Sequence, residues 1–408
     1  MMRKVSILVL LAILAFGVLA GCGTSTTGTT NGGNQTEGNT APGGNGGAQA
    51  GTIKIGANLE LSGGVSSYGQ SIAEGIDLAV EEINKAGGIN GQQLEVVKVD
   101  NKSDAAESTN AAIKLMSQDK VVAIIGAATS GNTKAMIQLS NDNKIPVITP
   151  TGTADSVTVN QDGSVNEYMF RTCFIDPFQG DVAARFALND LKVKTAAIYI
   201  DSASDYSKGL AASFKETFTK NGGQIVSEEA FVAKDTDFRS TLTRIKGTNP
   251  EFVYVPGYYE EVGLIVKQAR ELGLMAPIMG GDGLDSPKMV ELAGADALNN
   301  VFLTNHYSSK DPDPEIQKFV EAFKGKYNGK EPDAFNALGY DSVKFLADAI
   351  QRAGSADPTK IKDALAATKD LKVVSGVLTI DEKHNPIKSA AILEYKNGVQ
   401  EFKTKVNP

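Results

Sequence analysis

The stretch Thr52–Val99, TIKIGANLELSGGVSSYGQSIAEGIDLAVEEINKAGGINGQQLEVVKV, decides the fold. From Thr52 to Leu59 apolar residues alternate at Ile53, Ile55, Ala57 and Leu59, which is the period of a strand. Between Ser67 and Lys85 the apolar residues Ile72, Ile76, Ala79, Val80 and Ile83 recur at helical spacing, and Gly87-Gly88 ends the run. Leu94–Val99 is a strand again. The alternation continues with a helix over 105–116, a strand over 121–126, a helix over 132–141 and a strand over 145–149. A second series follows, with strands over 195–200, 224–232, 252–256 and 277–280 and helices over 207–221, 236–246 and 260–272. Short apolar strands separated by helices mark parallel sheets covered on both faces, so the sequence predicts an α/β fold of two doubly wound lobes.

A third segment carries a strand over 301–305, helices over 315–326, 337–353 and 359–367, and strands over 377–380 and 390–395. Three helices with so few strands build no sheet of their own. The segment is expected to complete both earlier lobes, with the chain crossing between them several times.

Upstream, Arg3 and Lys4 precede an apolar run from Val5 to Val18, which ends in Leu19-Ala20-Gly21-Cys22. A basic start, a short apolar core and small residues before a cut make 1–21 a signal peptide. Leu-Ala-Gly-Cys resembles the lipobox of bacterial lipoproteins, in which the cysteine is lipidated and becomes the first mature residue; Cys22 would then anchor the protein outside the cytoplasmic membrane. From Gly23 to Ala50 the chain is Thr, Gly, Asn and Gln with one charge, Glu37. Such a stretch buries too little to fold, so 22–51 is expected to be the lipidated cysteine and a flexible linker with a reach of roughly 30 Å.

Composition narrows the chemistry. The 408 residues carry 40 Lys+Arg against 48 Asp+Glu, a net charge of −8, which argues against a nucleic-acid partner. Two His, two Cys and no Trp leave too few ligands for zinc, haem or iron–sulfur sites, so no metal or cofactor is expected. The motifs G-x-S-x-G, G-x-x-x-x-G-K-[ST], H-E-x-x-H and C-x-x-C do not occur in the sequence. Ser117-Gln118-Asp119-Lys120 fits S-x-x-K without the companion elements of that chemistry, and a lipid-anchored hydrolase would need a nucleophile and base that the sequence does not offer. His306 and His384 read as solvated or structural loop residues, and Cys173 as a buried structural thiol.

In open α/β sheets ligands bind beyond the carboxyl ends of strands. Four loops there draw attention. Ala127-Ala128-Thr129-Ser130-Gly131-Asn132-Thr133 follows strand 121–126 and serves either as an anion site with the Ser130 hydroxyl or as an ordinary helix cap. Pro150-Thr151-Gly152-Thr153 follows strand 145–149 and is either a second polar loop or a plain turn. In the second series Gly257-Tyr258-Tyr259-Glu260 and Gly281-Asp282-Gly283 end two strands, and Asp282 is either an accessible partner for an ammonium group or a turn aspartate. Hydroxyl loops in one half and a carboxylate loop in the other suit a zwitterion.

From Thr52 to about Tyr395 the chain resembles the bacterial leucine/isoleucine/valine-binding proteins, the substrate-binding components of branched-chain amino-acid ABC importers. The likeness is carried by Tyr68-Gly69, Asn84-Lys85-Ala86-Gly87-Gly88-Ile89-Asn90-Gly91, the Gly126–Thr133 loop, Thr149-Pro150, Phe170-Arg171-Thr172, Asp205-Tyr206-Ser207-Lys208-Gly209, Gly257-Tyr258-Tyr259-Glu260 and Gly273-Leu274. The resemblance implies a type I periplasmic binding protein with a three-crossover hinge, its first lobe 52–172 and 302–376 and its second 173–301 and 377–408. It implies that Ser130 and Thr153, with backbone groups of Ala128 and Thr151, hold the carboxylate and ammonium of an amino acid. Tyr258 and Asp282 would come from the other lobe, with Tyr68 and Tyr206 flanking the ligand.

Two departures stand out. Family members carry Glu where this chain has Asp282, and Ser103 and Thr129 stand where some members have a disulfide. The expected protein is a non-enzymatic monomer that hands an amino acid to an ABC permease. The same fold also hosts other ligands, among them amides, aromatic acids and other amino acids, and it serves sensor subunits.

Overall fold

The protein is described by a computed structural model over residues 51–407. The signal peptide, Cys22 and the linker up to Ala50 lie outside the described residues.

Five strands, β1 (Ile53–Leu59), β2 (Leu94–Asp100), β3 (Ile124–Gly126), β4 (Val147–Thr149) and β5 (Met169–Arg171), form an all-parallel sheet in the order β2-β1-β3-β4-β5. Successive residues feed opposite faces. Ile125, Ile148 and Phe170 join one apolar core, while Ile124, Val147 and Met169 join another. The connecting helices are α1 (Ser66–Lys85), α2 (Ala105–Ile113), α3 (Ser130–Lys134) and α4 (Ile137–Asn143). Two of them depart from the periodicity. The helix expected over 105–116 ends at Ile113 and continues as a wider π turn, Lys114–Gln118, that buries Leu115 and Met116. The helix expected over 132–141 is split into α3 and α4.

The second sheet has seven strands in the order β14-β13-β10-β9-β8-β6-β7. Its parallel members are β6 (Thr195–Asp201), β7 (Gln224–Phe231), β8 (Phe252–Tyr254), β9 (Ile278–Gly280) and β10 (Val301–Asn305). Its helices are α5 (Asp176–Asn189), α6 (Asp205–Lys220), α7 (Arg239–Gly247), α8 (Tyr259–Glu271) and α9 (Lys288–Ala293). Then come α10 (Pro314–Lys326), α11 (Ala334–Ala353), α12 (Pro358–Ala366), the hairpin β11 (Leu371–Val373) and β12 (Gly376–Leu378), and the antiparallel strands β13 (Ala390–Lys396) and β14 (Val399–Val406). The chain is therefore an α/β protein of two doubly wound lobes, and its third segment does complete both.

Two of the lobe boundaries expected from the sequence need correction. All of β10 pairs within the second sheet, with β9 on one side and β13 on the other, so the return to the first lobe falls after Asn305 rather than at 302. Residues beyond 376 also stay with the first lobe: Ile380 N donates to Thr368 O, His384 Nδ1 lies 3.1 Å from Met169 O, and Thr158 Oγ1 donates to Asn385 Oδ1. The last crossing thus lies just before β13. In the first lobe α1 and α11 approach so closely that a Cβ at Gly75 would lie 2.0 Å from Asn336 O, and one at Gly339 would lie 2.4 Å from Ile72 O. That contact admits only glycine at both positions.

Candidate functional site

In each sheet the first strand sits between its two successors, β1 between β2 and β3, and β6 between β7 and β8. The chain leaves these strands in opposite directions, which opens a crevice at their carboxyl ends. The loops at the two crevices face each other across a small cavity. Tyr68, Ala128, Ser130 and Thr151 line it from the first lobe, and Tyr206, Tyr258 and Asp282 from the second; Thr129, Gly283 and Phe335 complete the wall. Seven of the eight ligand-site residues read from the sequence are thus brought together. Thr153 is not in the lining: it is buried, and its hydroxyl has no hydrogen-bond partner among the described residues.

On the first lobe the polar loop is held from below by Glu60, the residue after β1. Its carboxylate accepts from Ala128 N (2.9 Å), Thr129 N (3.0 Å), Thr129 Oγ1 (2.9 Å) and Asn132 Nδ2 (2.8 Å). At the loop's start Gly126 has φ +132°, and a Cβ there would lie 2.0 Å from Asn58 O. These bonds leave Ala128 only its carbonyl for a ligand. Its N–H is already given to Glu60, and its carbonyl accepts from Thr151 Oγ1 at 2.7 Å, which leaves one lone pair on that oxygen. Ser130 Oγ accepts from Ala154 N at 3.1 Å, so its O–H remains available to donate to an anion.

On the second lobe Asp282 opens a single 3-10 turn and is 3% exposed. Oδ1 accepts from Tyr206 OH (2.8 Å) and Gln179 Nε2 (3.1 Å), and Oδ2 lies 3.0 Å from His306 Nε2. Two donors saturate Oδ1, so Oδ2 keeps the free acceptor position. Burial, with the charges of Asp282 and Asp176, pushes the Tyr206 phenol well above its usual range, so it stays a donor. Of the two readings open for His306, solvated or structural, the structure selects the second: it is 4% exposed and stacked on Phe174 with ring centroids 3.7 Å apart. His384 is packed on Phe170, and burial raises the Cys173 thiol to about 12, which makes it inert.

Asp176 and Phe335, both beside the cavity, escaped the sequence reading. Asp176, at the start of α5, is 1% exposed, and neither of its carboxylate oxygens has a hydrogen-bond partner among the described residues. Burial pushes its pKa well above the carboxylate range, and the nearby charge of Asp282 raises it further. Phe335, at the start of α11, stacks on Tyr68 with centroids 4.3 Å apart and an interplanar angle of 7°. The signal for Asp176 is Asp-Pro at a helix start, and that for Phe335 is Asp333 capping α11 just before it. Neither marks a ligand site by itself.

The lobes meet over the cavity. Tyr68 OH donates to Gly283 O (2.5 Å) and accepts from Tyr259 N (3.2 Å), Tyr259 OH donates to Gly64 O (2.9 Å), and Ser67 and Ser286 share a hydroxyl bond (2.8 Å). Lys134 and Asp205 pair across the rim. Tyr206 and Tyr258 stack at 5.2 Å, which leaves aromatic faces on the wall between the polar ends. No lysine or arginine is among the lining residues.

A sequence profile of periplasmic binding proteins matches residues 52–400. The "Leucine-, isoleucine-, valine-, threonine-, and alanine-binding protein" of Pseudomonas aeruginosa is 34% identical over 335 residues, 82% of this chain and 87% of its own length. Among solved structures, the branched-chain amino acid transporter substrate binding protein LivJ from Streptococcus pneumoniae, in complex with isoleucine, superposes with a TM-score of 0.82 at 41% identity, over 88% of this chain and 100% of its own. A solute binding protein of an ABC transporter from R. palustris, in complex with benzoate, superposes with a TM-score of 0.79 at 26% identity, over 88% and 97%.

Proposed function

The chain belongs to the periplasmic binding protein family, and on that premise we propose that it captures a branched-chain or other neutral aliphatic amino acid between its lobes for an ABC importer. The observation that carries this reading is one small cavity lined by the Ser130 hydroxyl from one lobe and the Asp282 carboxylate from the other. The ligand carboxylate takes the Ser130 hydroxyl, and the ammonium takes Asp282 Oδ2 and the remaining lone pair of Ala128 O. Thr153 and Asp176, both with unpartnered oxygens, back the ammonium side. Tyr68, Tyr258 and Phe335 wall the aliphatic side chain, and Tyr206 flanks it. Capture is binding, with no bond made or broken. Contacts from the second lobe exist only when the lobes are together, so they supply the differential affinity that drives closure.

A carboxylate-only aromatic ligand, of the kind bound by the R. palustris protein, would leave Asp282 facing an apolar ring with no cation, which costs the desolvation of a buried charge. That argues for an amino acid over benzoate. Delivery goes to the membrane permease of the importer. The protein acts outside the cytoplasmic membrane as a monomer, held there by lipid on Cys22. The first lobe takes residues 52–172 and 306 to about 389, and the second 173–305 and about 390–408.

The test is titration calorimetry of purified protein, freed of bound ligand by unfolding and refolding, against the twenty amino acids, small amides and benzoate. Leucine, isoleucine or valine should bind at about 1 μM or tighter, about −8 kcal/mol. Heat from benzoate or an amide alone would reject the reading.

A further inference from the structure

We propose that His306 is a positioning residue for ligand capture: from the second lobe crossing it fixes the orientation in which Asp282 receives the ligand's ammonium group. The proposal rests on the reading of the cavity as an amino-acid site. Of the two Asp282 oxygens, Oδ1 is committed to Tyr206 and Gln179, and both of these belong to the second lobe itself. Oδ2, the oxygen left for the ligand, is held only by His306 Nε2 at 3.0 Å. The ring is in turn clamped on Phe174, which comes from the first crossing. Its neighbour Asn305 grips the other end of the same turn, donating from Nδ2 to Asp285 Oδ2 at 2.8 Å and accepting His306 N at 2.7 Å. The segment joining the lobes therefore holds the acid-bearing turn at both ends, Asp282 and Asp285.

The charge state follows from the surroundings. Nε2–H donates to Asp282, while Nδ1 is buried with no partner among the described residues, so a second proton there would be held by nothing. Burial lowers the imidazole pKa. Asp282 and Asp285 on the acid turn oppose that shift, and Lys388 from the third crossing reinforces it. Asp311, Asp313, Glu315, Lys372 and Lys405 line the groove that His306 also borders. An ammonium group arriving at Asp282 adds positive charge beside the ring and disfavours the imidazolium further. Binding then expels a proton wherever His306 carries one, so acid weakens capture.

The experiment is calorimetric titration of isoleucine into the full chain, wild type, His306→Gln and His306→Leu, from pH 4.5 to 8, with thermal melts as folding controls. Wild-type Kd should be level near pH 8 and rise only in the acid range, below the ordinary imidazole pKa, because burial lowers that of His306. His306→Gln, whose amide N–H can still reach Oδ2, should bind within about threefold of wild type at pH 8 and lose the histidine limb of the profile. His306→Leu should bind at least about tenfold more weakly at every pH. Should it fail to fold, the profile of His306→Gln decides alone. Variants that match wild type in Kd and in pH profile overturn the inference. A wild type that binds no amino acid at any pH overturns the amino-acid reading instead.

Discussion

Replacing Asp282 by Ala removes the one carboxylate among the residues lining the cavity. In the bound state the ligand's ammonium would be left in a closed, mostly aromatic cavity without its counter-charge. Breaking a buried charged pair costs roughly 2 to 4 kcal/mol of binding, or about 30- to 700-fold in Kd. The loss is compounded because Tyr206 OH, Gln179 Nε2 and His306 Nε2 all lose their acceptor. Asp282→Asn separates the two effects. Its amide oxygen still accepts the Tyr206 and Gln179 bonds but offers no charge, so it should retain the fold and still bind isoleucine at least about tenfold more weakly. In the Asn variant the amide nitrogen stands where Oδ2 accepted from His306 Nε2–H, so the unliganded protein should melt somewhat lower than wild type while still unfolding cooperatively. Calorimetry with isoleucine, paired with thermal melts, reads both quantities. An Asp282→Ala protein that melts cooperatively and binds within about threefold of wild type would refute the assignment of the ammonium to this residue.

Three further outcomes are expected. Phe335→Ala should weaken isoleucine binding by about tenfold through loss of the Tyr68 stack and of apolar wall, while Phe335→Leu should recover most of it; calorimetry distinguishes the two. Asp176 has a folded-state pKa raised above its usual value of 3.8, so the native state holds this proton more tightly than the unfolded chain and stability falls as pH rises above 3.8 through the raised value. Asp176→Asn should therefore melt higher than wild type at pH 7.5, with the gain vanishing toward pH 3.5, in melts of the unliganded protein. Glu60→Ala strands two backbone N–H groups, the Thr129 hydroxyl and the Asn132 amide, at about 1–3 kcal/mol each before relaxation. It should lower the melting temperature strongly, and Glu60→Gln should lower it less.

The alternating lobes were legible because their strands are short apolar runs and most of their helices have one clear apolar face. α5 was not. It buries Val182, Ala183, Ala184, Phe186 and Ala187 around most of its circumference and carries Gly180 inside, so no helical stripe appears in the sequence. β14 was missed for the opposite reason: as an edge strand reading Val-Gln-Glu-Phe-Lys-Thr-Lys-Val, it exposes half of its residues, buries none fully and lacks an apolar face. The crossings at 302 and 377 were implied by the family resemblance alone, and they are displaced here because strand pairing across the hinge is non-local and leaves no mark in periodicity that could have corrected them. At the site, the loops ending the parallel strands announced themselves by small and hydroxyl residues. Phe335 could not, since a helix on the far side of the sequence supplies it. Glu60 and His306 could not either: each acts through a neighbour, and the partner is visible only once the chain has folded.

The central claim is that one neutral amino acid is held by both of its charged ends, the carboxylate on the first lobe and the ammonium between the first lobe and Asp282 of the second. The most direct measurement is calorimetry of ligand-free protein with isoleucine, its methyl ester, which lacks the carboxylate, and 3-methylpentanoate, which lacks the ammonium. The account predicts micromolar or tighter binding of isoleucine and a loss of at least about a hundredfold for each truncated ligand. Equal binding of 3-methylpentanoate and isoleucine would contradict it, because Asp282 would then have no ammonium to meet.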